Sequence, residues 1–126
     1  MSQLFKMMIV DDSNIIRRKI ERSRDASIFD VVAVASDGES ALQQLEDKTP
    51  DVVTMDLTMP RMDGIACIEA MMGKNPDIKV LVVSALSDKA TGIEALEKGA
   101  RGFICKPFSE LQLSDALREM VGVGNV

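Results

Sequence analysis

Short apolar runs that alternate with helical patterns along the whole chain predict an α/β domain, a three-layer sandwich of helices around a parallel sheet. Apolar runs lie at residues 7–10, 31–35, 52–55, 80–83 and 103–105. Between and after them, apolar residues recur at helical spacing. Glycine, proline and aspartate punctuate the junctions.

Ser13 is a candidate N-cap for a first helix carrying Ile16 and Ile20 through about Arg24. The second run, 31–35, is apolar throughout and reads as a strand covered on both faces. Asp37-Gly38 reads as a turn before a helix with Ala41, Leu42 and Leu45 on one stripe. Pro50 precedes the third strand, which leads into a loop holding Pro60 and Gly64. The third helix is expected to bury Ile65, Ile68 and Met72 and to break at Gly73 and Pro76. Asp63-Gly64 reads as a turn. A fourth helix carries Ile93, Leu96 and Ala100, with Gly99 and Gly102 interrupting it. The last helix, from about Ser109, sets Leu113, Ala116, Leu117 and Met120 at core spacing, and the tail 122–126 should fray.

The chemistry gathers where strands end. Asp11 and Asp12 follow the first run, Asp56 the third, Ser84 the fourth, and Lys106 closes the fifth just before Pro107. In open parallel sheets ligands bind beyond the carboxyl ends of strands, where strand order reverses. If strands one and three flank that reversal, the three aspartates converge, with Ser84 and Lys106 completing the rim. Crowded carboxylates raise one another's pKa, a penalty that a divalent cation removes. The set reads as a metal site with one carboxylate left to accept chemistry and a lysine opposite it.

Composition narrows the function further. The chain has 126 residues, 46% hydrophobic and 28% charged, with net charge −5, which fits one domain of residues 1–126. The longest basic cluster, Arg17-Arg18-Lys19, reads as a solvated helix face and argues against nucleic-acid binding. No apolar stretch is long enough to span a membrane, and the N-terminus lacks a leader pattern, so a cytoplasmic protein without membrane insertion is expected. Cys67 and Cys105 read as reduced, buried thiols. With no histidine, triads and His-zinc sites are excluded.

Four segments together resemble the receiver domains of response regulators in two-component signalling. They are Asp11-Asp12, the stretch from Met55-Asp56-Leu57-Thr58 through Met62-Asp63-Gly64, Ser84-Ala85, and Gly102-Phe103-Ile104-Cys105-Lys106-Pro107-Phe108. The resemblance spans about residues 6–120 and is of the single-domain, CheY-like type. It implies a flavodoxin-like five-stranded sheet of order 2-1-3-4-5 and a cis Lys106-Pro107 bond. Asp56 matches the phosphoacceptor. Magnesium is the implied cofactor, with Asp12 a direct ligand, Asp11 a mainly water-mediated one, and Asp56 and the Thr58 carbonyl completing the set. Ser84 matches the hydroxyl that closes on the phosphoryl group, Lys106 the lysine that pairs with it, and Phe103 the aromatic switch. Some relatives carry tyrosine at that last position, so a hydroxyl contact to a partner is lost here.

The implied function is a phosphorylation-activated, chemotaxis-type switch. It is not an enzyme beyond magnesium-dependent self-phosphorylation and slow autodephosphorylation. A sensor histidine kinase is the implied donor. The expected target is a protein bound by helix four, strand five and helix five, with a separate phosphatase possible and a monomeric state expected. One alternative is a receiver module from a longer methylesterase or transcription factor. Another, an aspartyl-phosphate phosphatase, needs a second acid two positions after the nucleophile, where this chain has Thr58. A flavin carrier is disfavoured by the acidic first loop, Asp11-Asp12-Ser13-Asn14.

Overall fold

The computed structural model describes residues 4–59, 63–85 and 89–123, and of Lys89 the backbone alone. Pro60, Arg61 and Met62 of the loop motif, and residues 124–126 of the tail, lie outside them. Strands and helices alternate strictly: β1 (Phe5–Val10), α1 (Asn14–Ser23), β2 (Phe29–Ala35), α2 (Gly38–Lys48), β3 (Val52–Met55), α3 (Gly64–Lys74), β4 (Lys79–Ser84), α4 (Lys89–Glu97), β5 (Gly102–Cys105) and α5 (Glu110–Met120). All pairings are parallel and the order is β2-β1-β3-β4-β5. The chain thus winds outward from β1 in one direction and then returns to wind in the other. Val10 at the end of β1 pairs with Ala35 on one side and Met55 on the other.

Because successive strand side chains point to opposite faces, the sheet builds two cores. Met7, Ile9, Val52, Leu81 and Val83 pack with Ile20 of α1 and Leu113 and Leu117 of α5. Met8, Val10, Val53, Met55, Val80 and Val82 pack on the other face with residues of α2, α3 and α4. Helix starts are fixed by side-chain oxygens that accept otherwise unpaired backbone N–H groups. Ser13 serves α1 and Ser109 serves α5, the latter in a reciprocal capping box with Gln112. Asp37 and Asp63, expected only as turn residues, are the N-caps of α2 and α3. The Lys106–Pro107 bond is cis.

Several expectations need correction. The β2 strand is an edge strand, so Val34 is 46% exposed instead of covered. Helix α3 continues through Gly73 to Lys74, because a surface glycine weakens a helix without ending it; Asn75 is the C-cap, and Pro76 follows. Of the expected α4 stripe, Ile93 and Leu96 are turned outward, 55% and 48% exposed, whereas Ala100, beyond the end of the helix, is buried. Small residues make the inner side of α4: Ala95 is fully buried, and a Cβ at Gly92 would sit 3.6 Å from the Phe103 ring. After α4 the chain turns at Gly99, whose φ of 122° and crowding against Met72 leave no room for a side chain.

Candidate functional site

The topology brings the expected carboxylates together at the carboxyl ends of β1 and β3. Asp11 donates its N–H to Ala35, and Asp56 donates its own to Val10, so the two residues leave neighbouring strands side by side. Carboxylate oxygens of Asp11, Asp12 and Asp56 lie within 4.8 Å of one another. Asp11 and Asp56 are buried, whereas Asp12 faces solvent.

Each buried carboxylate is divided between two kinds of partner. Asp11 Oδ1 accepts the N–H of Ser13 at 2.8 Å, and its Oδ2 lies 2.8 Å from Lys106 Nζ. Asp56 Oδ1 accepts the backbone N–H of Thr58 at 3.1 Å and the Thr58 hydroxyl at 3.3 Å. Its Oδ2 faces the same lysine at 3.6 Å. Burial pushes the Asp56 carboxyl above the ordinary carboxylate range. The charges of Asp11 and Asp12 add to the rise, while the Thr58 N–H and Lys106 oppose it.

The supports are backbone contacts. Lys106 donates its N–H to the carbonyl of Ser84 at 2.9 Å, which joins the ends of β4 and β5. Ser84 is fully buried and Phe103 is partly buried against the α2–α4 core. Gly64 opens α3 directly behind the site. A Cβ there would fall 2.4 Å from the Asp56 carbonyl oxygen and 2.6 Å from Leu57 Cα, so only glycine lets the helix approach the loop this closely.

Two members of the basic run also belong here, contrary to the solvated-face reading. Arg17 donates from Nη1 to the Asp11 carbonyl at 2.6 Å and from Nη2 to Asn14 Oδ1 at 3.3 Å. Lys19 donates to the Phe108 carbonyl, and its ammonium lies 4.5 Å from the centre of the Phe108 ring. Only Arg18 of the three is exposed. Each holds a main-chain carbonyl, one of them 89 residues away, and a carbonyl leaves no mark in the side-chain pattern. The buried-thiol expectation holds for Cys67, whose pKa is pushed up to about 12 chiefly by burial, and fails for Cys105, which is exposed.

The donor set fits a hard divalent cation, since every candidate group is an oxygen and two of the carboxylates are buried. Lys106 alone partners Asp11 Oδ2, which otherwise has no hydrogen bond among the described residues. No helix is long and apolar enough to cross a membrane among the described residues.

Known proteins share this sequence pattern and fold. The family model of the response regulator receiver domain matches residues 7–118. Chemotaxis protein CheY of Listeria monocytogenes is 38% identical over 116 residues, covering 92% of this chain and 98% of that protein. A probable transcriptional regulator of Guillardia theta is also 38% identical over 116 residues, but these make up only 45% of its length. Among solved structures, the response regulator domain of Thermotoga maritima CheB superposes with a TM-score of 0.85 at 32% identity, covering 98% of both chains. A chain of the CheX-CheY-BeF3-Mg2+ complex from Borrelia burgdorferi gives 0.86 at 32% identity, covering 96% of this chain and 90% of its own. The family model over residues 7–118, the identity with the Listeria protein and the superposition on the Thermotoga domain make this chain a member of the response regulator receiver domain family, a switch of two-component signalling.

Proposed function

We propose that the chain is a single-domain, chemotaxis-type receiver that accepts a phosphoryl group on Asp56. The observation that carries this is the division of the Asp56 carboxylate. Thr58 fixes Oδ1, while Oδ2 faces Lys106 at 3.6 Å on the side where the acids converge. In the reaction, Asp56 attacks phosphorus and an O–P bond forms. The P–N bond of a phosphohistidine donor, or the P–O bond of acetyl phosphate, breaks, and its electrons leave with the imidazole or acetate. Such a transfer depends mainly on positioning and charge neutralisation.

Asp12, Asp56 and the Thr58 carbonyl would hold magnesium, with Asp11 acting through water. When bound, the metal neutralises charge on the transferring phosphoryl oxygens. Lys106 starts on Asp11 and is near enough to Asp56 to follow the new negative charge. Ser84, buried at the end of β4, supplies the hydroxyl that closes on the phosphoryl group, and Phe103 reports that closure to the surface. The product acyl phosphate decays slowly by itself, or faster with a separate phosphatase. The output is protein binding on α4, β5 and α5. Ile93 and Leu96 on α4 and Leu111 on α5 are exposed apolar groups suited to that purpose. The relative captured with beryllofluoride, magnesium and a protein partner supports the same reading. A sensor histidine kinase as donor, a cytoplasmic location and a monomeric state complete it.

A receiver module of a longer regulator is the second reading, favoured by the identity with the Guillardia regulator, whose length the chain spans by less than half. The chemistry at Asp56 is common to both. Acetyl phosphate with magnesium should add one phosphoryl group by intact mass, and Asp56→Asn should abolish it. Stoichiometric phosphorylation of the Asn variant would overturn the assignment.

A further inference from the structure

Lys19 is a lysine on the partly buried side of α1, one residue before the fully packed Ile20. A long cationic side chain loses rotamer freedom when it is held in such a place, a cost that its partners must offset. It has two, and both belong to one residue. Its ammonium donates to the backbone carbonyl of Phe108 and lies 4.5 Å from the centre of the Phe108 ring. Phe108 is itself 3% exposed within the α1–α5 core, so the lysine grips a fixed point rather than a loose loop tip. Phe108 follows Lys106 by two residues.

Two residues earlier on α1, Arg17 grips the Asp11 carbonyl at 2.6 Å. Asp11 in turn holds Lys106 at 2.8 Å. The contacts therefore close a ring that runs from Lys19 through α1 and Arg17 to Asp11, across to Lys106, and back through Pro107 to Phe108. Both grips hold main-chain carbonyls, at Asp11 and Phe108, which fixes backbone and leaves the reactive side chains of Asp11 and Lys106 their own movement. That is what the proposed transfer requires. The Lys106 ammonium must leave Asp11 for the new charge on Asp56, while its backbone stays where Ser84 holds its N–H at 2.9 Å.

We infer that Lys19 is a positioning residue for Lys106, a strut from α1 that fixes the lysine loop relative to the carboxylates. It touches neither the phosphoryl group nor the metal ligands. The inference rests on the receiver reading for its consequence in phosphoryl transfer, but the strut itself can be tested without it. Lys19→Met keeps the aliphatic stem and removes the donor and the charge; Lys19→Arg keeps both.

In metal-free protein, amide hydrogen exchange at Lys106 should speed up in Lys19→Met and stay near native in Lys19→Arg. In phosphorylation by acetyl phosphate at saturating magnesium, Lys19→Met should slow the rate by about tenfold, the scale of a small misplacement of a charged group. Magnesium affinity should be unchanged. Lys19→Arg should recover most of the rate, and in a Lys106→Ala background Lys19→Met should have no further effect. Unaltered exchange at Lys106, or the same slowing in the Lys106→Ala background, overturns the inference. A native protein that acetyl phosphate leaves unmodified overturns the receiver reading instead, and the exchange result then decides the strut by itself.

Discussion

The two faces of the sheet are built on different terms. On the α1–α5 side, large side chains fill the space. Ile20, Leu113 and Leu117 are essentially inaccessible, and ion pairs tie α5 outward, Arg118 to Asp25 at 2.9 Å and Arg22 to Glu110 at 3.6 Å. On the opposite side, α4 meets the sheet through Ala95 and a bare Gly92, with Ile93 and Leu96 facing out. Dense packing resists displacement, whereas a helix seated on small residues has little contact area to lose when it shifts. The anchored side carries the positioning contacts of Arg17 and Lys19. The lightly seated side carries Phe103, the proposed reporter. A switch needs both: a frame that holds reacting groups still and a neighbour that can answer them.

The sharpest way to break this contrast is to truncate equivalent leucines. Leu117→Ala should cost about 2–5 kcal/mol, since it empties a fully buried site. Leu96→Ala, at a residue 48% exposed, should fall within about 0.5 kcal/mol of native. Urea denaturation of both variants decides it, and similar losses would mean that the two faces are equally anchored.

Glycines extend the comparison into the loops. Gly64→Ala would drive a Cβ against backbone atoms of Asp56 and Leu57 at 2.4 and 2.6 Å, and backbone cannot step aside as a side-chain tip can. Overpacking of this kind costs about 1–3 kcal/mol, and here it should also displace Asp56 and weaken magnesium binding. Gly92→Ala is the mirror case. Its Cβ would meet the Phe103 ring at an ordinary 3.6 Å, and alanine gains about 1 kcal/mol of helix propensity over glycine. It should stabilise the protein while holding the ring in place. Melting temperatures that moved in the same direction for the two variants would contradict the assigned geometry.

These contrasts also explain what the sequence could and could not reveal. Element count and the meeting of Asp11, Asp12, Asp56 and Lys106 were legible, because carboxylates and a lysine gathered together at strand ends point to joint action, whereas the strand order came with the resemblance to receiver domains. The outward turn of α4 was not. Ile93 and Leu96 make a plausible apolar stripe, and the choice between them and the side carrying Gly92 and Ala95 is made by tertiary fit, which no local spacing encodes. The exposure of Val34 follows from the edge position of β2, and an apolar run looks alike in an edge strand and a central one. Arg17 and Lys19 looked solvated because charge is the usual mark of a wet surface, yet each holds a backbone carbonyl, a group that every residue possesses.

A buried hydroxyl beneath the site sharpens the comparison from within the anchored face. Thr54, two residues before Asp56, is fully inaccessible and its Oγ1 has no hydrogen-bond partner among the described residues. An unsatisfied buried hydroxyl is a liability that a methyl group of the same shape removes, so Thr54→Val should raise stability by about 1 kcal/mol. A loss on thermal or urea unfolding would show that the hydroxyl is satisfied in solution and that the floor of the site is wetter than its packing suggests.

Acid offers the mildest test, aimed at one tie on the anchored side. Asp25 accepts the hydroxyl and N–H of Ser27 at 2.6 and 2.9 Å and pairs with Arg118 at 2.9 Å. The hydrogen bond from the Ser27 side chain, then that from Arg118, lower its pKa from 3.8 to about 2. A depressed carboxyl pKa means that the folded state binds the proton less readily than the unfolded chain does. The stability it contributes is therefore complete above the unfolded value of 3.8, and it is lost as pH falls through about 2. Across that window the native protein should lose stability relative to Asp25→Asn, which has no such proton to take up, and the two unfolding curves should run parallel at neutral pH. The tie joins the segment before β2 to α5 and touches nothing on α4. Chemical shifts in α5 should accordingly follow the titration while those of Ile93 and Leu96 stay flat, and if the α4 signals moved in step with α5, the two faces would not be separable in the way their packing implies.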